Sequence, residues 1–194
     1  MSTLPIKQKP NKIALIGDAN VGKTCLIQRI KYKSFGNTKS TIGACNENIT
    51  INGINLDIWD TAGQERFRSM VPLYFKGAKV ILICFDITDV NSFDGAKKWL
   101  KEIENLQKKT IIFLVGNKCD LEDKRKISFE NGDLFSKDKG IFYFETSAKN
   151  DINVSQLFEK VAEEISKIKD SEDNGKIDIG NSRDNNNDNG CGCL

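Results

Sequence analysis

The sequence predicts an α/β fold, a six-stranded mostly parallel sheet with one antiparallel hairpin strand, flanked by about five helices. Three observations carry that expectation. Val80-Ile81-Leu82-Ile83-Cys84-Phe85 and Ile111-Ile112-Phe113-Leu114-Val115 are continuous apolar runs, as strands covered on both faces require. Stretches with a single apolar face at helical spacing separate these runs. Asn52-Gly53 joins two alternating segments, the strongest short signal for a hairpin and so for one antiparallel neighbour.

In chain order, residues 13–17 read as the first strand and 22–32 as a helix, followed by a polar stretch over 33–40. Residues 48–51 and 54–59 are the two hairpin strands, and a loop follows. The run from Val80 leads into a helix over 91–106 whose Phe93, Ala96, Leu100 and Ile103 share a face. After the run from Ile111 come a helix over 129–135, a short strand over 142–144 and a helix over 154–168 with Leu157, Phe158, Val161 and Ile165 on one side. Right-handed crossovers make such an alternation a mostly parallel sheet and put ligands at the carboxyl ends of its strands.

At 194 residues and 39% apolar content, one full-sized core is expected, over residues 11–169, with a flexible N-terminus over 1–10. From Asp170 the chain turns to Asn, Asp, Gly and Ser, so 170–194 is expected to be a disordered tail. No run of about 18 apolar residues and no signal-peptide pattern is present, which predicts a soluble, non-secreted protein. Cys25, Cys45, Cys84 and Cys119 are scattered through predicted elements and read as reduced thiols. The absence of histidine excludes His-dependent triads and His-containing zinc sites. The formal charge of +2 combines an acidic tail with a mildly basic remainder, without an arginine-rich run or interleaved aromatics, so no nucleic-acid partner is expected.

Gly17-Asp18-Ala19-Asn20-Val21-Gly22-Lys23-Thr24 lies between the first strand and the first helix, the context in which a phosphate-binding loop is credible. Its glycines let main-chain N–H groups turn inward, the helix N-terminus adds partial positive charge, Lys23 reaches the outer phosphates and the Thr24 hydroxyl ligates Mg²⁺. Asp60-Thr61-Ala62-Gly63-Gln64 closes the third strand. Asp60 can hold the Mg²⁺ water shell, Gly63 can offer its N–H to the terminal phosphate and Gln64 can orient the attacking water. In Asn117-Lys118-Cys119-Asp120, the Asp120 carboxylate can accept from guanine N1–H and the 2-amino group, a donor pair that adenine lacks. Lys118 can lie along the base, and Asn117 can tie the loops together. Glu145-Thr146-Ser147-Ala148-Lys149 supplies a further loop whose Ala148 N–H can meet the guanine oxygen. Each motif alone has an innocent reading as a turn or helix start; four in this order, each after a strand, do not.

These motifs, with Thr41-Ile42-Gly43, Ile58-Trp59-Asp60 and Glu65-Arg66-Phe67-Arg68-Ser69, resemble a Ras-superfamily small GTPase, a P-loop G domain of the Rab branch. The likeness spans roughly residues 10–169 and the terminal cysteines, with residues 70–103 closest in flavour to endosomal members. It implies GTP hydrolysis with Mg²⁺ on Thr24, Thr41 and Asp60, catalysis involving Gln64, Lys23 and Thr41, and nucleotide contacts from residues 18–25, Phe35, Thr41, Gly63, Asn117, Lys118, Asp120, Ser147, Ala148 and Lys149, Cys25 included. It further implies a monomeric two-state switch read by effectors through residues 35–46 and 62–76. The implied partners are an exchange factor, a GTPase activator, an escort protein and a dissociation inhibitor. The implied site of action is the cytoplasmic face of an intracellular membrane, a vesicle or endosome, with cycling through the cytosol.

The chain departs from that pattern in places. Asn46 stands where Rabs carry an aromatic member of the trio that Trp59 and Tyr74 complete. Phe35 lies one position nearer Thr41 than is usual; it either packs against the base or caps the first helix. Ala19 brings a Cβ towards the attacking water, which predicts slow unassisted hydrolysis. Cys191-Gly192-Cys193-Leu194 reads either as a four-residue box with one prenyl group on Cys191 or as a Cys-x-Cys in which Cys191 and Cys193 are both modified; an acidic tail favours the second. Two other functions stand beside the cycling switch. One is a module that holds GTP without turning it over, opposed by Gln64 and Thr41; the other is a P-loop kinase or ATPase, opposed by Asp120.

Overall fold

The computed structural model describes residues 11–36, 38, 40–63, 70–106 and 110–174. Six strands form one sheet in the order β2-β3-β1-β4-β5-β6. They are β1 (Asn11–Ile16), β2 (Ala44–Ile51), β3 (Ile54–Thr61), β4 (Val80–Asp86), β5 (Ile111–Asn117) and β6 (Phe142–Thr146). Among the six described strands, β2 and β3 pair antiparallel and every other neighbour is parallel. The turn between them is the expected Asn52-Gly53, with φ of 49° and 77°, so both residues take the left-handed conformation that a tight two-residue hairpin needs.

Five α-helices accompany the sheet: α1 (Lys23–Tyr32), α2 (Val71–Phe75), α3 (Val90–Leu106), α4 (Phe129–Lys139) and α5 (Val154–Asn174). The sheet divides the core in two. On one face Ile13, Leu15, Ile58, Leu82 and Phe113 pack with Leu26 and Ile27 of α1 and with Leu157, Phe158, Val161 and Ile165 of α5. On the other, Ala14, Ile16, Ile81, Ile83 and Phe85 meet Phe75 of α2, Phe93, Trp99 and Leu100 of α3, and Phe135 of α4. All seven residues of β4 are buried, as its continuous apolar run requires of a central strand.

Several boundaries differ from the sequence reading, each for a local reason. β2 begins at Ala44, four residues earlier than expected, because an edge strand is defined by its ladder with β3 (Ala44 opposite Thr61, Cys45 opposite Asp60) and not by its own polar sequence. α2 falls in a segment read as loop; at five residues with a proline it is too short to show a helical period. α4 runs on to Lys139, where Gly140 at φ 63° caps it, and starts at Ser128, whose Oγ accepts from Asn131 N–H. α5 continues past Ile168 to Asn174, so the last helix enters the segment expected to be tail.

Candidate functional site

The loops after β1, β3, β5 and β6 open at one end of the sheet around a cleft of about 480 Å³. This is the carboxyl end of the parallel strands, where an α/β fold leaves room for a ligand. Of the expected site residues, Ala19, Asn20, Gly22, Lys23, Thr24, Cys25, Phe35, Thr41, Gly63, Asn117, Lys118, Asp120, Ala148 and Lys149 line it. Val21 and Ser147 are buried at 1% and 0% exposure and support the wall from behind. Asp18 also stays off the wall: its carboxylate is turned to α3, so close that a Cβ on Gly95 would meet Oδ2 at 2.3 Å. Gln64, Cys191 and Cys193 lie outside the described residues.

One end of the cleft is built to receive an anion. Helix α1 starts at Gly22 without a side-chain cap, so its first N–H groups face the cleft. Lys23 is 6% exposed, and its ammonium donates to the carbonyls of Gly17 and Asp18, each at 2.8 Å. Burial pushes its pKa down, opposed by the fields of Cys84, Asp60 and Asp18. A buried cation satisfied only by carbonyls gains most from a phosphate. Gly22 sits at φ 96°, and a Cβ there would fall 2.3 Å from Asn117 Nδ2, so only glycine lets the loop pass under the base-side loop.

Beside the lysine, three oxygens expected around Mg²⁺ are gathered. Thr24 Oγ1 donates to Asp60 Oδ2 at 2.6 Å, Thr41 Oγ1 does so at 3.1 Å, and the two hydroxyls lie 3.0 Å apart. The other carboxylate oxygen, Asp60 Oδ1, is buried with no hydrogen-bond partner. Burial raises the Asp60 pKa while the Thr24 hydroxyl, Lys23 and Thr41 pull it back. One carboxylate with an orphaned oxygen and two hydroxyls is a hard-oxygen set that fits Mg²⁺ sharing its shell with phosphate and water. Among the described residues no cluster of three or more His, Cys, Asp or Glu could hold a metal by itself.

The far end of the cleft is organised by hydrogen bonds between loops. Asn117, 2% exposed at the end of β5, donates from Nδ2 to the Val21 carbonyl at 2.8 Å, and its Oδ1 accepts from Thr146 Oγ1 at 3.3 Å and Ala148 N–H at 3.4 Å. It therefore ties the loops together, as its place in the sequence predicts. Ser147 Oγ donates to Asp120 Oδ1 at 2.6 Å, which orients the carboxylate and leaves its second oxygen available. Lys118, at φ 69°, pairs with Asp86 Oδ2 at 2.6 Å, so its stem is stretched along the wall. Phe35 is 47% exposed and on the cleft wall; Lys33, whose N–H bonds the Arg29 carbonyl at 3.0 Å, ends α1 instead.

Three supporting residues escaped the sequence reading. Asp86 anchors Lys118. Arg29 on α1 donates to the carbonyls of Ala148 and Lys149. Arg125, after the short 3-10 turn Glu122–Lys124, makes a bidentate pair with Glu145 at 2.7 and 2.8 Å, while Tyr143 OH donates to Glu145 at 2.8 Å. A glutamate directly after the aromatic run Phe142-Tyr143-Phe144, on the same strand, was the available signal, since a buried carboxylate there demands a cation.

Residues 12–167 match the Ras family. A GTP-binding protein of Schizosaccharomyces pombe, ypt2, is 40% identical over 186 residues, covering 89% of this chain and 92% of the relative. The Ras-related protein Rab-13 of Bos taurus is 46% identical over 160 residues, 79% of each chain, and that of Mesocricetus auratus is equally similar. With the family match over residues 12–167 and these relatives, the chain belongs to the Ras family as a Rab-type small GTPase, a GTP hydrolase.

Proposed function

We propose that the protein is a Mg²⁺-dependent GTP/GDP switch of vesicle trafficking, held on the cytoplasmic face of an intracellular membrane, an endosome or vesicle, by prenyl groups on Cys191 and Cys193. The observation that carries this reading is the convergence on one cleft of buried Lys23, the Thr24, Thr41 and Asp60 oxygens, and Asp120 held by Ser147. Lys23 and the α1 N-terminus bind the β- and γ-phosphates, with Ala19, Asn20, Val21, Gly22 and Cys25 contributing main chain. Thr24, Thr41 and Asp60 are the residues that would hold Mg²⁺, which would supply neutralisation of phosphate charge. The Asp120 carboxylate accepts from guanine N1–H and the 2-amino group, Ala148 N–H meets the oxygen, and Lys118 and Phe35 flank the ring. Gln64 orients the attacking water.

Loss of the terminal phosphate releases Thr41 and Gly63, so effectors reading residues 35–46 and 62–76 distinguish the two states. Because Asn46 Nδ2 donates to Asp57 Oδ1 at 2.6 Å beside Trp59 and Tyr74, that surface is more polar than an aromatic trio. An exchange factor, an activator, an escort protein and a dissociation inhibitor complete the cycle. The test is single-turnover hydrolysis of preloaded GTP started with Mg²⁺, for the wild type and Gln64→Leu. Slow phosphate release abolished by the substitution supports a cycling switch. Retention of GTP by both proteins without release would replace it with a GTP-loaded binding module.

A further inference from the structure

Arg29 reaches two parts of the molecule that a nucleotide would touch separately. Its Nε donates to the Ala148 carbonyl and its Nη2 to the Lys149 carbonyl, both at 2.8 Å, across more than a hundred residues of sequence. Its Nη1 donates to the Lys33 carbonyl at 3.1 Å, and its own carbonyl accepts from Lys33 N–H at 3.0 Å. Lys33 has φ 53°, the left-handed conformation common where a helix ends, here on a residue other than the usual glycine. The chain leaving Lys33 supplies Phe35, Thr38, Ser40 and Thr41 to the cleft wall.

We propose that Arg29 is a positioning residue that couples recognition of the guanine oxygen to the conformation at the start of the first switch segment. The inference rests on the reading of this cleft as a guanine nucleotide site. The Ala148 and Lys149 carbonyls belong to the loop that carries Ala148 N–H, so gripping them fixes the loop from which that N–H, 3.4 Å from Asn117 Oδ1 here, would turn to a base oxygen. The third donor grips the chain at its departure from α1. A planar guanidinium meets three carbonyls at once because its donors are fixed in a fork; an ammonium on a flexible stem cannot reproduce that geometry. A base that draws the loop inward therefore tightens Lys33, and an empty base loop slackens it. Coupling between sites is reciprocal, so release of the switch segment also weakens the hold on guanine.

The experiment compares the wild type and Arg29→Lys for release of GDP and of 6-thioguanosine diphosphate, which keeps N1–H and the 2-amino group but carries sulfur, a poor hydrogen-bond acceptor, in place of the guanine oxygen. The wild type should retain GDP more strongly; equal retention of the two would refute the base-site reading itself. Arg29→Lys should speed GDP release about tenfold, within the usual range of coupling between sites, and leave the analogue nearly unchanged. Equal acceleration of both ligands would make Arg29 a structural residue only and overturn the inference. Should the variant not fold, wild-type hydrogen exchange decides. Replacing GDP by the analogue should raise exchange at the amides of residues 148–150 and 33–35 together; a rise at the base loop alone would overturn it.

Discussion

Replacing Arg125 by Met tests whether the base-side loops are held by a buried ion pair or only by main chain. Arg125 is 17% exposed and Glu145 9%, with two nitrogen-oxygen contacts at 2.7 and 2.8 Å, whereas Glu122, the other carboxylate on the same guanidinium, is 68% exposed. Arg125 also donates to the Ile127 carbonyl, and the Glu145 carboxylate, then Glu122, holds the guanidinium pKa far above its usual value against burial. Removing one member of a fully buried pair costs about 3–5 kcal/mol, because the other charge is left without a partner. Glu145 would keep only Tyr143 OH, and some water reaches the site, so about 2–4 kcal/mol is expected for Arg125→Met. Glu122→Gln should be close to neutral, as solvent already screens that contact. The assay is urea unfolding at fixed saturating GDP and Mg²⁺, with Glu145→Gln and the double variant completing a cycle whose non-additivity should exceed about 1 kcal/mol. GDP release should also accelerate in Arg125→Met alone of the two Arg125–Glu122 probes, because the turn after Asp120 and the loop before Ala148 share this pair. An Arg125→Met no costlier than Glu122→Gln would refute the reasoning.

Gly22→Ala should lower GDP affinity at least tenfold, measured by calorimetry. Left-handed strain of about 1–2 kcal/mol adds to loss of the Asn117 bond to Val21, at about 1–3 kcal/mol, and tenfold corresponds to about 1.4 kcal/mol. Alkylation of the native protein followed by mass spectrometry should, among the four described cysteines, modify exposed Cys45 first and spare Cys84, which is fully buried with its thiol pKa pushed up to about 12; early labelling of Cys84 would contradict the packing of β4. Asp86 is pushed up by burial but held lower overall by Lys118 and Thr88, so its folded pKa lies below its unfolded one. Its contribution is complete above about pH 4 and lost as pH falls through the folded value. The melting-temperature gap between wild type and Asp86→Asn should therefore persist from pH 7 to about pH 4 and close below it; a gap that instead widens on acidification would reverse the assignment.

Much of this architecture could be read in the residues because burial leaves a compositional mark. β1, β4 and β5 are covered on both faces and carry apolar runs that admit no other placement, while α3 and α5 bury one stripe each and show its period. Where structure depends on a neighbour, the sequence says less. The first half of β2 is polar and exposed, and exists through its ladder with β3. α2 has no room for a period. The cleft was legible because the motifs single out particular residues at particular spacings, and Lys23, Thr24, Asp60, Asn117 and Asp120 lie together around it. Arg29, Asp86 and Arg125 were not, since what they grip comes from distant segments: the Lys118 ammonium, the Glu145 carboxylate and the carbonyls of Ala148 and Lys149. Glu145 belonged to a recognised motif, yet its work is to hold Arg125.

The hairpin strand β2 forms one border of the sheet, and its outward row has consequences for how copies of the protein tolerate crowding. Asn46, Asn48 and Thr50 stand beside Asn55 and Asp57 on one face, linked by side-chain hydrogen bonds from Asn46 to Asp57, Asn48 to Asn46 and Thr50 to Asn55. Open sheet borders invite foreign strands, and natural proteins blunt them with polar or charged side chains. Here each side-chain amide is engaged by a neighbour on the same face, so a second strand laid against this border would bring no apolar side chain of this row into contact.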